Sequence, residues 1–206
     1  MIRLPNASAA DPPEPSEGVL TEPPEVHERN LWLGARVIAG VTIMFFLAFV
    51  FAYFYLRSLN NTGRFRPAGV DAPDRYGAAI VLLFSVSAAS LVYAAEAARR
   101  KREWLAAAGA SLALGVGGCV VQVVEYAHVG FRPLAGGWAS VFIGWTVFFA
   151  VFVLFTMFWV EILLAEGLRN RGASGVYVPA GLGDAAFYWS VLAAIGVITW
   201  AILYLL

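Results

Sequence analysis

The residues best placed to do chemistry lie together near the end of one apolar run: Gln122, Glu125, Tyr126 and His128, followed by Arg132. Gln122 and Glu125 are three apart, so on a helix an amide and a carboxyl share one face. That face runs back through Gly118, Gly115, Ser111 and Ala107 at steps of three or four, a line of small residues along which another helix backbone can approach closely. A carboxyl at membrane depth is costly unless neutral or paired, which makes Glu125 a functional candidate. Because it stands near the boundary of its run, with Tyr126, His128 and Arg132 after it, the simplest reading is a solvated or arginine-paired helix end. The alternative is a contact to a lipid headgroup or to a partner subunit.

Other chemistries have little to work with. The two histidines are too few and too far apart for a metal cluster. The one cysteine, Cys119, lies inside an apolar stretch and supports neither an internal disulfide nor a thiolate metal site; it reads as a helix-packing residue. No histidine or cysteine recurs within an apolar run at a spacing that ligates haem or copper, so no cofactor is expected on this chain. A transporter or channel would line a hydrated path with several midplane charges or broken helices, and here only Thr42, Ser85, Ser87, Ser111 and Thr146 are available. Lysines and arginines number 14 against 14 acids, a zero balance that argues against nucleic acid.

Two aromatic patterns complete the inventory. Met44 to Arg57, MFFLAFVFAYFYLR, ends in Tyr53, Tyr55 and Arg57, which suit an interfacial anchor with polar tips among headgroups. Trp138, Phe142, Trp145, Phe149, Phe152 and Trp159 recur at steps of three, four and seven, a one-sided seam suited to acyl chains or to another helix.

The elements that must carry these residues follow from composition. The 206 residues are 60% hydrophobic and only 14% charged, with a mean hydropathy of +0.72, far from the balance of a soluble domain. Five apolar runs, Val37 to Leu56, Tyr76 to Ala95, Trp104 to Val124, Gly137 to Val160 and Ala185 to Leu206, are each close to the ~20 residues that cross a bilayer core. Membrane strands would be shorter and would alternate apolar with polar. The expected fold is therefore all-α: a polytopic bundle of five transmembrane helices over about 31–57, 76–98, 103–126, 137–166 and 184–206, within a domain of residues 30–206. Residues 1–29, rich in proline and acids and without periodicity, read as a disordered tail rather than a signal peptide.

The short connection Arg99-Arg100-Lys101-Arg102 is the most basic segment and is expected in the cytoplasm. The N-terminus and the 161–184 loop, with Arg169 and Arg171, then lie inside; the 57–75 and 125–136 loops and the C-terminus lie outside. The 57–75 loop, with Arg57, Arg64, Arg66 and Arg75, runs against that rule.

Three patches resemble a known family. MFFLAFVFAYFYLR is similar to the first conserved helix of subunit III of cytochrome c and quinol oxidases, VQVVEY (Val121 to Tyr126) to its Gln-x-x-Glu-Tyr segment, and DAAFYWSVL (Asp184 to Leu192) to its last-helix Tyr-Trp motif. Their order and the helix count match the short five-helix bacterial form. The resemblance implies a non-catalytic accessory subunit of a haem-copper respiratory oxidase in the cell membrane, serving aerobic electron transport. It would bundle beside catalytic subunit I and the other oxidase subunits and hold phospholipid in a cleft, while haem and copper reside in a partner. It also implies Gln122, Glu125, Tyr126, Tyr188 and Trp189 as lipid- or partner-binding candidates. The chain departs from the family at Thr42, where a buried glutamate is usual, at Phe149 and Phe152, where paired histidines stand, and at Ser190, where a histidine follows Tyr-Trp. Roles credited to those groups, including support of proton uptake, do not carry over. The accessory protein of nitric oxide reductases, and a free-standing assembly factor or carrier on the same scaffold, are the alternatives.

Overall fold

A computed structural model describes residues 23–60, 63–169 and 177–206. Five α-helices follow one another: α1 (Pro24–Ser58), α2 (Asp74–Arg99), α3 (Leu105–His128), α4 (Gly137–Arg169) and α5 (Tyr177–Trp200), the last continuing as a π-helical turn over Ala201–Leu205. No strand occurs among the described residues. All five helices are long and apolar enough to cross a bilayer, so the chain is a multi-pass membrane protein with the expected all-α fold. Hydrocarbon offers no partner to backbone N–H and C=O groups, and a helix satisfies them within itself.

The helix ends differ from the sequence expectation where polar residues continue a helix beyond its apolar span. α1 starts at Pro24, a residue suited to the first helical turn because its missing N–H would bond nothing there. Residues 24–29 of the expected tail are thus helical, and the rest of that tail, 1–22, lies outside the described residues. α4 runs on to Arg169, and α5 begins at Tyr177, so the 161–184 connection is much shorter than hydropathy suggested. Arg171 lies outside the described residues.

The helices pack as a closed ring in the order α1, α4, α3, α2, α5, with α5 also reaching α4 across the core. α5 is accordingly the most enclosed. Small residues set the closest approaches: Gly115 on α3 lies against Met157 of α4, and Gly118 against the Phe84 ring of α2. The basic connection is a tight turn in which Lys101 takes a left-handed φ of 55°. Its N–H bonds Ala98 O at 3.0 Å and that of Arg102 bonds Ala97 O at 2.8 Å, which satisfies the last carbonyls of α2. Glu96 pairs with both Arg99 and Arg100 on the same turn.

Two contacts tie the ring together at its ends. At one end the loop after α1 folds back over the bundle: Phe65 is buried, its carbonyl accepts from Trp138 N at 2.8 Å, and Arg66 lies 4.5 Å over the Trp138 ring. This overturns the interfacial reading of Tyr53, which is 1% exposed beneath Phe65, whereas Tyr55 keeps its outward position. At the other end Arg36 of α1 reaches Asp184 of α5 at 2.9 Å, its guanidinium held between the rings of Trp32 (4.0 Å) and Phe187 (4.6 Å). The Asp184 side chain is only 9% exposed. Losing one partner of a buried pair strands the other, and Arg36 is partly solvated, so Arg36→Ala is expected to cost about 2 kcal/mol, below the ~3–5 of a fully buried pair. Lysine should recover part of that, because an ammonium lacks the planar face that stacks between two rings. Thermal unfolding of the singles and of Arg36→Ala/Asp184→Ala in detergent checks this: the double variant should be more stable than the sum of the two losses allows.

Candidate functional site

α3 turns one narrow face inward, and that face carries Ala108, Ser111, Gly115, Gly118, Gln122 and Glu125. Glu125 is fully buried. Its Oε2 accepts from Gln122 Nε2 at 2.6 Å, and its Oε1 accepts from the Tyr204 phenol, also at 2.6 Å. The solvated or arginine-paired helix end expected for Glu125 is therefore not what forms: the carboxyl turns toward α5, away from the end of its own helix.

Tyr204 reaches Glu125 because of two local features. The π-helical turn at Ala201–Leu205 winds wider than an α-helix and re-aims the side chains it carries. On α2, Gly77 leaves room for the Tyr204 ring where any Cβ would overlap it. The ring then meets Phe142 of α4 edge-on, with centroids 5.6 Å apart. Three helices and the π turn thus enclose one carboxyl and its two donors.

The remaining sequence candidates form separate sites. Tyr126 points to α4, where its phenol donates to Thr146 Oγ1 at 2.8 Å. Tyr188 meets Thr42 across α1 and α5 with 3.1 Å between the two hydroxyl oxygens. Thr42 also donates to Ile38 O at 2.7 Å, so this is a neutral pair of hydroxyls bonded within the chain. Trp189 donates from Nε1 to Ser87 Oγ at 3.0 Å, and Ser87 in turn donates to the Ser111 carbonyl at 2.6 Å, joining α5, α2 and α3. Gln122, Glu125, Tyr188 and Trp189 are all buried and bonded within the chain.

The aromatic seam of α4 packs against helices along most of its length. Trp138, Phe142, Trp145 and Phe149 are buried, with Phe149 set among Phe46, Phe84 and Gly196. Near its C-terminal end the seam opens. Asn30, Leu31, Gly34, Ala35 and Ile38 of α1 face Phe155, Phe158, Trp159 and Ile162 of α4 across a side-opening groove of about 580 Å³. Gly34 and Ala35 remove bulk from α1 opposite the rings of α4. The groove lies at the same end of the bundle as the Arg36–Asp184 pair.

No family model matches the chain, and no curated protein sequence matches it. Among the described residues no three His, Cys, Asp or Glu side chains converge on one point.

Sequence reasoning missed Tyr204, Ser87 as the acceptor of Trp189, the Arg36–Asp184 pair and the groove. The ion pair did leave a signal: one lone base and one lone acid near ends of the first and last runs that must lie on the same side of a five-span bundle. Tyr204 left only a polar-tipped residue close to a span boundary, which ordinarily reads as an anchor.

Proposed function

We propose that this chain is a non-catalytic, subunit III-like accessory subunit of a haem-copper respiratory oxidase in the cell membrane. It stabilises the catalytic subunit and holds phospholipid acyl chains, with haem and copper carried by a partner. The observation that carries this reading is the groove between α1 and α4, walled by aliphatic and aromatic side chains on two helices and open along its side. Such a channel holds a flexible chain by dispersion contacts from both helices at once, which a single flat helix surface does not. Tyr188 supports the same reading, because it bonds Thr42 of α1 and lies with its ring centroid 6.4 Å from that of Trp159 in the groove wall, and so fixes the scaffold beside the groove. In this proposal the Arg99–Arg102 turn, with the groove end, faces the cytoplasm.

Two measurements test it. Extraction in a mild detergent followed by blue-native electrophoresis should find the chain migrating with a haem-bearing polypeptide. A chain that migrates alone, with no such polypeptide, would speak for the free-standing factor, and co-migration with a nitric oxide reductase for that accessory role. For the groove itself, Gly34→Phe adds a ring on a position with open space beyond it. Native mass spectrometry of that variant should show at least a twofold loss of retained phospholipid with an unchanged unfolding midpoint. Undiminished lipid would remove the groove as the holding site.

A further inference from the structure

Where α2, α3, α4 and α5 meet, next to Gln122 and Tyr204, the bundle leaves a small, partly open cavity of about 20 Å³. One water needs roughly 10–15 Å³ of such space, so the cavity fits one molecule and no more. Its wall is partly polar: Gln122, Thr146, Thr199, Trp200 and Tyr204 line it alongside the ring of Phe149.

The hydrogen-bonding capacity around it is lopsided in a way that specifies its occupant. Trp200 Nε1–H is buried and bonds no protein acceptor. The hydroxyls have each committed their single proton elsewhere: Thr199 to Ile195 O at 2.8 Å, Thr146 to Phe142 O at 2.7 Å, Tyr204 to Glu125 at 2.6 Å. What these hydroxyls have left is oxygen lone pairs, and what Trp200 has left is a proton. A molecule that accepts once and donates twice completes the set, and water does so. An apolar occupant would leave the indole unpaired, and the volume excludes an ion with its hydration shell.

We infer that this cavity binds a single water molecule, which accepts from Trp200 Nε1 and donates to hydroxyl oxygens of the wall, tying Trp200 to the Gln122–Glu125–Tyr204 cluster. The site joins the last α-helical residue of α5 to the π turn that follows it. It thereby helps hold the wider winding that brings Tyr204 onto Glu125. The inference does not depend on the oxidase reading.

Ultraviolet resonance Raman of the intact protein in nanodiscs reads indole hydrogen bonding directly. The difference spectrum of wild type minus Trp200→Phe isolates the Trp200 band, and wild type minus Trp145→Phe supplies a reference, since Trp145 Nε1 is also buried without a protein acceptor but does not line this cavity. The Trp200 band is expected at the position of a hydrogen-bonded indole, distinct from that of Trp145. A Trp200 band coinciding with an unbonded Trp145 band overturns the inference. Should either variant fail to fold, a cryo-electron microscopy map of the wild-type protein that resolves ordered waters decides. A peak within about 3 Å of Trp200 Nε1 supports the site, and its absence beside ordered waters elsewhere rejects it.

Discussion

Replacing Glu125 with leucine is expected to cost the bundle about 3 kcal/mol, and replacing it with glutamine less than half of that. The carboxyl is the acceptor for two donors, Gln122 Nε2 and the Tyr204 phenol, both at 2.6 Å. Leucine fills a similar volume but leaves both donors without a partner where no bulk water reaches. A single hydrogen bond between membrane helices averages ~0.6 kcal/mol and reaches ~1.7, while an orphaned buried polar group costs ~1–3 kcal/mol; two donors stranded at once give the figure above. Glutamine keeps one oxygen for Tyr204, and Gln122 can turn its amide to present its own oxygen to the new NH₂ group. Unfolding titrations in mixed micelles measure the difference. The deciding comparison is a cycle with Tyr204→Phe: because one bond is removed by either change, Glu125→Leu/Tyr204→Phe should cost clearly less than the two singles added. Strict additivity, or a leucine variant as stable as wild type, would mean that the cluster holds nothing together.

That expectation could not have been reached from the sequence, and the reason is instructive. The line Ala107, Ser111, Gly115, Gly118, Gln122, Glu125 was legible because helical spacing alone puts it on one face, and the structure buries all of it except Ala107, beside which Ala108 turns inward instead. The partner was not legible: Tyr204 is 79 residues away, and it arrives through a change in helix winding that no local propensity records. Arg132 is close in sequence and therefore looked the natural counter-ion. Distance along the chain misled for Tyr53 as well. It reads as a headgroup anchor until the 57–75 loop folds back and lays Phe65 over it. The five helices were readable throughout, since hydrocarbon solvation acts on every residue of a span. Their packing partners, set by single side chains at single heights, were not.

The same contrast between a legible face and its illegible partner yields the second large effect. Alanine at Gly118 is expected to cost about 3 kcal/mol, at Gly115 about 1, and at Gly117 nothing or a slight gain. All three changes add one methyl group to the same helix. At Gly118 the new Cβ overlaps the Phe84 ring. That ring is 2% exposed and wedged by Phe149 at 5.7 Å and Trp189 at 5.6 Å, so it has nowhere to swing without disturbing Trp189 and its bond to Ser87. At Gly115 the overlap is with Met157, an unbranched thioether that can change rotamer at modest cost. At Gly117 nothing lies within 4 Å, and alanine is the better helix former. Thermal or denaturant unfolding of the three variants in one detergent ranks them. Equal losses at positions 117 and 118 would require α3 to be rotated from the orientation described, and with it Gln122 and Glu125 would leave the interior, so the ranking tests the placement of the carboxyl without touching it.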